Sequence, residues 1–142
     1  MVERVKYPRT PHLPWPPGIS GDDILLDSLQ HLEKLNDVVV TEKLDGEYMF
    51  ARHSIFYNRC KKLDLEPAPV LYRGQGDEAQ IRACWRNVSS YGDEQEGYVV
   101  RNAGAFLFAE FKKPVAKYVR ADHVTTTKHW KRAAVVANQL VK

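Results

Sequence analysis

Val38-Val39-Val40-Thr41-Glu42-Lys43-Leu44-Asp45-Gly46-Glu47 is the stretch on which the reading of this chain turns. Its leading β-branched run favours an extended, pleated backbone, and Asp45-Gly46 is the strongest short turn signal in the sequence. Together they place Lys43 at the end of a strand. Because side chains alternate along a strand, Lys43 and Asp45 are expected on one face, with Leu44 pointing into the core. The pattern K-x-D-G also describes a solvated edge lysine beside a hairpin turn, and it arises by chance in roughly a few per cent of chains this long.

Upstream, Ser20 or Asp22 can cap a helix beginning near Asp23, because Leu25, Leu29 and Leu32 recur at helical spacing and Leu26 and Leu35 widen the stripe. Asn36 and Asp37 end it. Tyr7 to Gly18 holds five of the eight prolines and predicts an extended arm over residues 1–20, with Leu13 and Trp15 turned to a core. Its Pro8-x-x-Pro11-x-x-Pro14 spacing is also that of a ligand for a proline-binding module. Downstream, the aromatic-rich Tyr48 to Tyr57 predicts a strand, Val70-Leu71-Tyr72 another, and Asp77 to Trp85 a helix with acidic residues at its positive end. Gly97 to Arg101, Phe106 to Ala109 and Ala116 to Val119 read as strands between Asn-Ala-Gly and Lys-Pro breaks. The segment 121–142 is basic, carrying Lys128, Lys131, Arg132 and Lys142. The expected architecture is α+β, a mainly antiparallel sheet with flanking helices, in one domain over residues 1–142.

A chain of 142 residues with 44% hydrophobic content suits one core. A net charge of +3 permits polyanion binding without implying it. Cys60 and Cys84 form no C-x-x-C pair, which disfavours a disulfide framework or zinc site and points to a reducing, cytoplasmic setting. The first residues alternate charge with apolarity, and no apolar run approaches the ~20 residues of a membrane-spanning helix. A soluble protein without a membrane partner is expected. The five histidines are scattered, and no G-x-x-x-x-G-K-[ST] run exists, which disfavours zinc-hydrolase and P-loop kinase readings.

Lysine attacks a phosphorus atom only as the neutral amine, so its free pKa near ~10.4 must be lowered by desolvation or neighbouring positive charge. Glu42 and Asp45 work the other way, so a metal ion or other basic groups would be needed beside Lys43. Glu96-Gly97-Tyr98-Val99-Val100-Arg101 and Val115-Ala116-Lys117-Tyr118-Val119-Arg120 supply an acid and a base on amphipathic strands. Nucleotidyl transfer needs an acid to hold Mg²⁺ and a cation to steady the phosphates, roles suited to Glu96 and Lys117. A plain salt bridge between neighbouring strands would use the same residues.

Taken in order, Glu42-Lys43-Leu44-Asp45-Gly46, Glu96-Gly97-Tyr98-Val99-Val100-Arg101 and Ala116-Lys117-Tyr118-Val119-Arg120 resemble motifs I, IV and V of the ATP-dependent RNA ligases, members of the covalent nucleotidyltransferase superfamily. Lys6 to Pro14, Ala51 to Tyr57 and Arg120 to Val124 are similar to an RNA-ligase subgroup. The resemblance implies a nucleotidyltransferase-like (ATP-grasp-like) ligase domain. Lys43 would attack ATP, pyrophosphate would leave, AMP would pass to an RNA 5′-phosphate, and a 3′-hydroxyl would displace AMP, as in RNA repair. It implies ATP and Mg²⁺ as cofactors and RNA ends as partners; it names no protein partner. Glu96 would sit at the metal, Lys117 at the α-phosphate, and Glu42 and Asp45 beside the nucleotide.

The 21 positions from Glu96 to Lys117 match the family. The 53 positions from Lys43 to Glu96 are fewer than it uses, and the span lacks the family's adenine-stacking aromatic strand and ribose-reading acid. Phe50, Phe56 or Tyr57 would have to replace the adenine platform. This shortened middle leaves open a non-catalytic, ligase-derived RNA-binding or scaffold module. K-x-D-G also suits DNA ligases and capping enzymes, but the Tyr7 to His12 and Arg52 to Tyr57 segments favour RNA ligase.

Overall fold

A computed structural model describes residues 8–15, 23–44, 61–65 and 67–121. They form a small α+β arrangement built on a four-stranded antiparallel sheet with the order β2-β1-β3-β4. The strands are β1 (Val38–Lys43), β2 (Val70–Gly74), β3 (Gly97–Asn102) and β4 (Val115–Val119). Helical turns include α1 (Gln30–Glu33) and α2 (Glu78–Arg82).

The expected strand at Val38 forms and runs on to Lys43 in the centre of the sheet. Alternation divides its side chains between two faces. Val38 and Val40 join Tyr98, Val100, Ala116 and Tyr118 on the face that packs against Leu29, Leu32, Ile81 and Cys84. Tyr98 and Tyr118 stack there with ring centroids 5.1 Å apart. On the other face Val99, Val115 and Phe111 form a smaller cluster.

Asp77 caps α2, its carboxylate accepting a hydrogen bond of 2.9 Å from the Gln80 amide. Ile81 and Cys84 point from this turn into the core, and burial pushes the Cys84 thiol up to about 11. Cys84 is therefore a packing residue, not a ready nucleophile.

Two local expectations are corrected. The helix expected from Asp23 is a single turn at Gln30–Glu33. Its first part is extended because the proline-rich arm takes its backbone groups: the His12 amide donates to the Ile24 carbonyl at 2.7 Å, and the Leu26 amide to the His12 carbonyl at 2.9 Å. Leu29 and Leu32 are buried, but Leu25 is exposed. The strand expected at Phe106 to Ala109 is instead a 3-10 turn at Phe108–Glu110. Its backbone bonds are local, Glu110 to Leu107 at 2.9 Å and Phe111 to Phe108 at 3.2 Å, and Phe111 alone of that aromatic run is buried.

The arm packs as expected over residues 8–15, with Leu13 in the core and Trp15 against it. It also lengthens the sheet. The Lys117 amide donates to the Pro11 carbonyl at 2.9 Å, and the Leu13 amide to the Lys117 carbonyl at 2.8 Å. His12 thus bridges Lys117 in parallel, and Leu25 bridges His12 in turn. The strand expected at Tyr48 to Tyr57, the Asp45-Gly46 turn and the basic end lie outside the described residues.

Backbone approaches closely at Gly97, where a Cβ would lie 2.0 Å from the Tyr118 carbonyl oxygen. That atom cannot yield without parting β3 from β4. Gly97→Ala is expected to cost about 1–3 kcal/mol or more in urea unfolding. An unchanged stability would contradict this pairing.

Candidate functional site

The register sets the site. Lys43 lies opposite Gly97, and Gly97 opposite Val119. In the next row on the same face, Thr41, Val99 and Lys117 are aligned. Paired residues share a face, so the side chains of Lys43 and Lys117 leave the sheet on one side, about 10 Å apart across the strands and about 7 Å along them. Both chains are long enough to converge from there.

Glu96, immediately before β3, completes the group. Lys43 Nζ donates to Glu96 Oε1. Only 15% of the lysine side chain and 14% of the glutamate side chain reach solvent. The Glu96 backbone is fixed by the Arg120 amide, which donates to its carbonyl at 2.9 Å. Its second carboxylate oxygen, Oε2, is buried and has no hydrogen-bond partner among the described residues.

Burial pushes the Lys117 ammonium below the usual lysine range. Asp23 opposes the shift, Lys43 and Arg9 add to it by repulsion, and Glu96 again opposes it. Lys117 thus senses both other members of the group. Arg101, on the same face, donates from Nη2 to the Thr41 hydroxyl at 3.2 Å.

Glu42 is not brought to this group. Alternation turns it to the other face, where its Oε2 accepts from the Ser90 amide at 2.9 Å. Burial alone would raise its pKa, but hydrogen bonds from the Ser89 and Ser90 side chains and the Ser90 backbone, with the charge of Arg86, hold it below the usual glutamate range. Leu44, expected in the core, is exposed because β1 ends at Lys43 and the chain leaves the sheet there. Asp45, Phe50, Phe56 and Tyr57 lie outside the described residues.

Sequence reasoning missed His12 and Asp23, which join this face through the arm, His12 Nε2 lying 3.3 Å from Asp23 Oδ1. His12 was visible only as one of several scattered histidines. Its row position depends on backbone pairing that no short motif encodes.

Comparison with protein-family models, curated proteins and solved structures gave no match. No helix among the described residues is long and apolar enough to cross a membrane.

Glu42→Gln is expected to lose about 1–2 kcal/mol at neutral pH, since a charged acceptor of several hydrogen bonds becomes neutral. Because the folded carboxyl titrates below its unfolded value, the loss should be full above the usual glutamate range and fade as pH falls through the folded value. Unfolding curves of wild type and variant that differ equally at every pH would contradict it. Lys117 has the opposite profile: its lowered folded pKa penalises folding at neutral pH, and the penalty is relieved as pH rises toward the ordinary lysine value. Lys117→Met is therefore expected to be the more stable protein at pH 7, with a margin that shrinks under alkaline conditions; a less stable variant would contradict the assigned burial penalty.

Proposed function

We propose that the chain is an ATP-dependent RNA ligase of the covalent nucleotidyltransferase type, joining RNA 5′-phosphate and 3′-hydroxyl ends through a lysyl-AMP intermediate on Lys43. The observation that carries the reading is the meeting of Lys43 and Glu96 across 53 positions of sequence, on the sheet face that also bears Lys117. These are the residues that the ordered ligase-like motifs single out.

The chemistry assigns each group a task. Lys43 Nζ, as the free amine, forms a bond to the α-phosphorus of ATP while the bond to pyrophosphate breaks. The amine is now engaged with Glu96, so it must lose a proton and leave that carboxylate before it reacts. Lys117 supplies positive charge where the α-phosphate oxygens gain negative charge, in surroundings dry enough to make that charge effective. AMP then passes to the RNA 5′-phosphate, and a 3′-hydroxyl displaces it to seal the strand.

Glu96 suits a divalent cation because its buried Oε2 has no hydrogen-bond partner among the described residues. Mg²⁺ is commonly held by one or two carboxylates together with substrate phosphates and water. Bound there, it would neutralise phosphate charge.

The shortened span between Lys43 and Glu96 favours a second reading, a ligase-derived RNA-binding or scaffold module that forms no covalent adenylate. Incubation with α-labelled ATP and Mg²⁺ separates the two. The ligase reading expects covalent label on wild type and a loss of at least about a hundredfold in Lys43→Ala, the range for removing a nucleophile that acts as part of a unit. No label on a folded wild-type protein that still binds ATP would leave the scaffold reading.

A further inference from the structure

We infer that His12 and Asp23 are positioning residues of the site, Asp23 as the counter-charge that holds the Lys117 side chain in place on the sheet face and His12 as the group that orients Asp23. No short motif joins these residues, and they meet only because the arm is laid along β4.

Lys117 is gripped at its backbone on both sides of His12. Its amide donates to the Pro11 carbonyl at 2.9 Å, and its carbonyl accepts from the Leu13 amide at 2.8 Å. In a parallel bridge the paired side chains share a face, so His12 stands beside Lys117, while Leu13 turns into the core on the opposite side. Leu25 continues the row beyond His12. Asp23, two residues before Leu25, therefore returns to the face that carries Lys117. There His12 Nε2 lies 3.3 Å from Asp23 Oδ1, with 4% of the histidine and 28% of the aspartate side chain exposed.

The charges around Lys117 show what this pair does. Lys43 and Arg9 repel its ammonium, burial disfavours it, and Asp23 and Glu96 attract it. Glu96 already accepts the Lys43 amine. Asp23 is the acid that the arm's pairing brings onto the face of Lys117, and His12 fixes its carboxylate by the contact to Oδ1. A half-buried ammonium without such a partner shifts toward its neutral form or turns to solvent. Either change would remove the cation from beside the α-phosphate, so the consequence for catalysis rests on the proposed adenylyl transfer. The pairing itself does not.

The test is made on the full chain without nucleotide, so its outcome is independent of whether Lys43 accepts AMP. The protein is labelled with [15N]lysine, the Lys117 Nζ signal is assigned by its loss in Lys117→Arg, and its titration is followed. Asp23→Asn is expected to move that titration to lower pH, Asp23→Glu to restore it, and His12→Gln to move it in the same direction as Asp23→Asn. An unchanged Lys117 titration in folded Asp23→Asn overturns the inference. Should Asp23→Asn fail to fold, the reciprocal measurement decides: in Lys117→Gln the Asp23 carboxyl carbon should titrate at higher pH, because coupling between two sites is mutual. An unmoved Asp23 titration in that variant overturns the inference equally.

Discussion

The antiparallel pairing of β3 with both β1 and β4 is the constraint on which the rest depends. It sets Lys43 and Lys117 one row apart on the same face, because Thr41, Val99 and Lys117 share a row and Lys43 lies two residues beyond Thr41. A slip of a single residue in either pairing would turn one lysine to the opposite face. Burial on both sides resists that slip. A slipped β1 would turn Val38 and Val40 out of the helix-covered core and Val39 into it, and a slipped β4 would turn Ala116 and Tyr118 out and Val115 in. Gly97 adds a local lock, since only a residue without a side chain admits the Tyr118 carbonyl at that distance.

The same register gathers charge where water is scarce. A buried ion pair gains from attraction but loses hydration, so it adds little to stability and much to placement. The Lys43–Glu96 contact has that character, with both side chains mostly withdrawn from solvent. Lys117 lies in the resulting field between like and unlike charges, and its depressed pKa marks a site held by the fold against its own preference. The arm contributes by covering the β4 edge at Lys117, whose amide and carbonyl are both bonded to it, at Pro11 and Leu13.

The sequence made the central strands legible because their signals are local. The β-branched run at Val38 and the β-branched and aromatic stretches around Gly97 and Val115 carry strand propensity in their own residues, and the observed strands follow them within a residue or two. Asp77 before Glu78 likewise marked a helix start that the capping bond bears out. The misses came where tertiary partners overrode local pattern. The leucine stripe after Asp23 has helical spacing, yet the arm's backbone bonds hold Asp23 to Leu26 extended. The apolar run at Phe106 has strand composition, yet its bonds close within a turn. Of the site, Lys43, Glu96 and Lys117 could be singled out by residue type and order, whereas their approach depends on register. Glu42 shows the limit of motif adjacency: next to Lys43 in sequence, it faces the other way and is occupied by Ser90.

Ligation by the proposed route requires that Lys43 Nζ become bonded to the phosphorus of AMP. Peptide mapping by mass spectrometry after incubation with ATP and Mg²⁺ locates that bond directly. The expected result is one adenylyl group per chain, on the peptide that contains Lys43. An adenylyl group found only on another lysine, or an unmodified Lys43 peptide from folded protein with bound ATP, would contradict it.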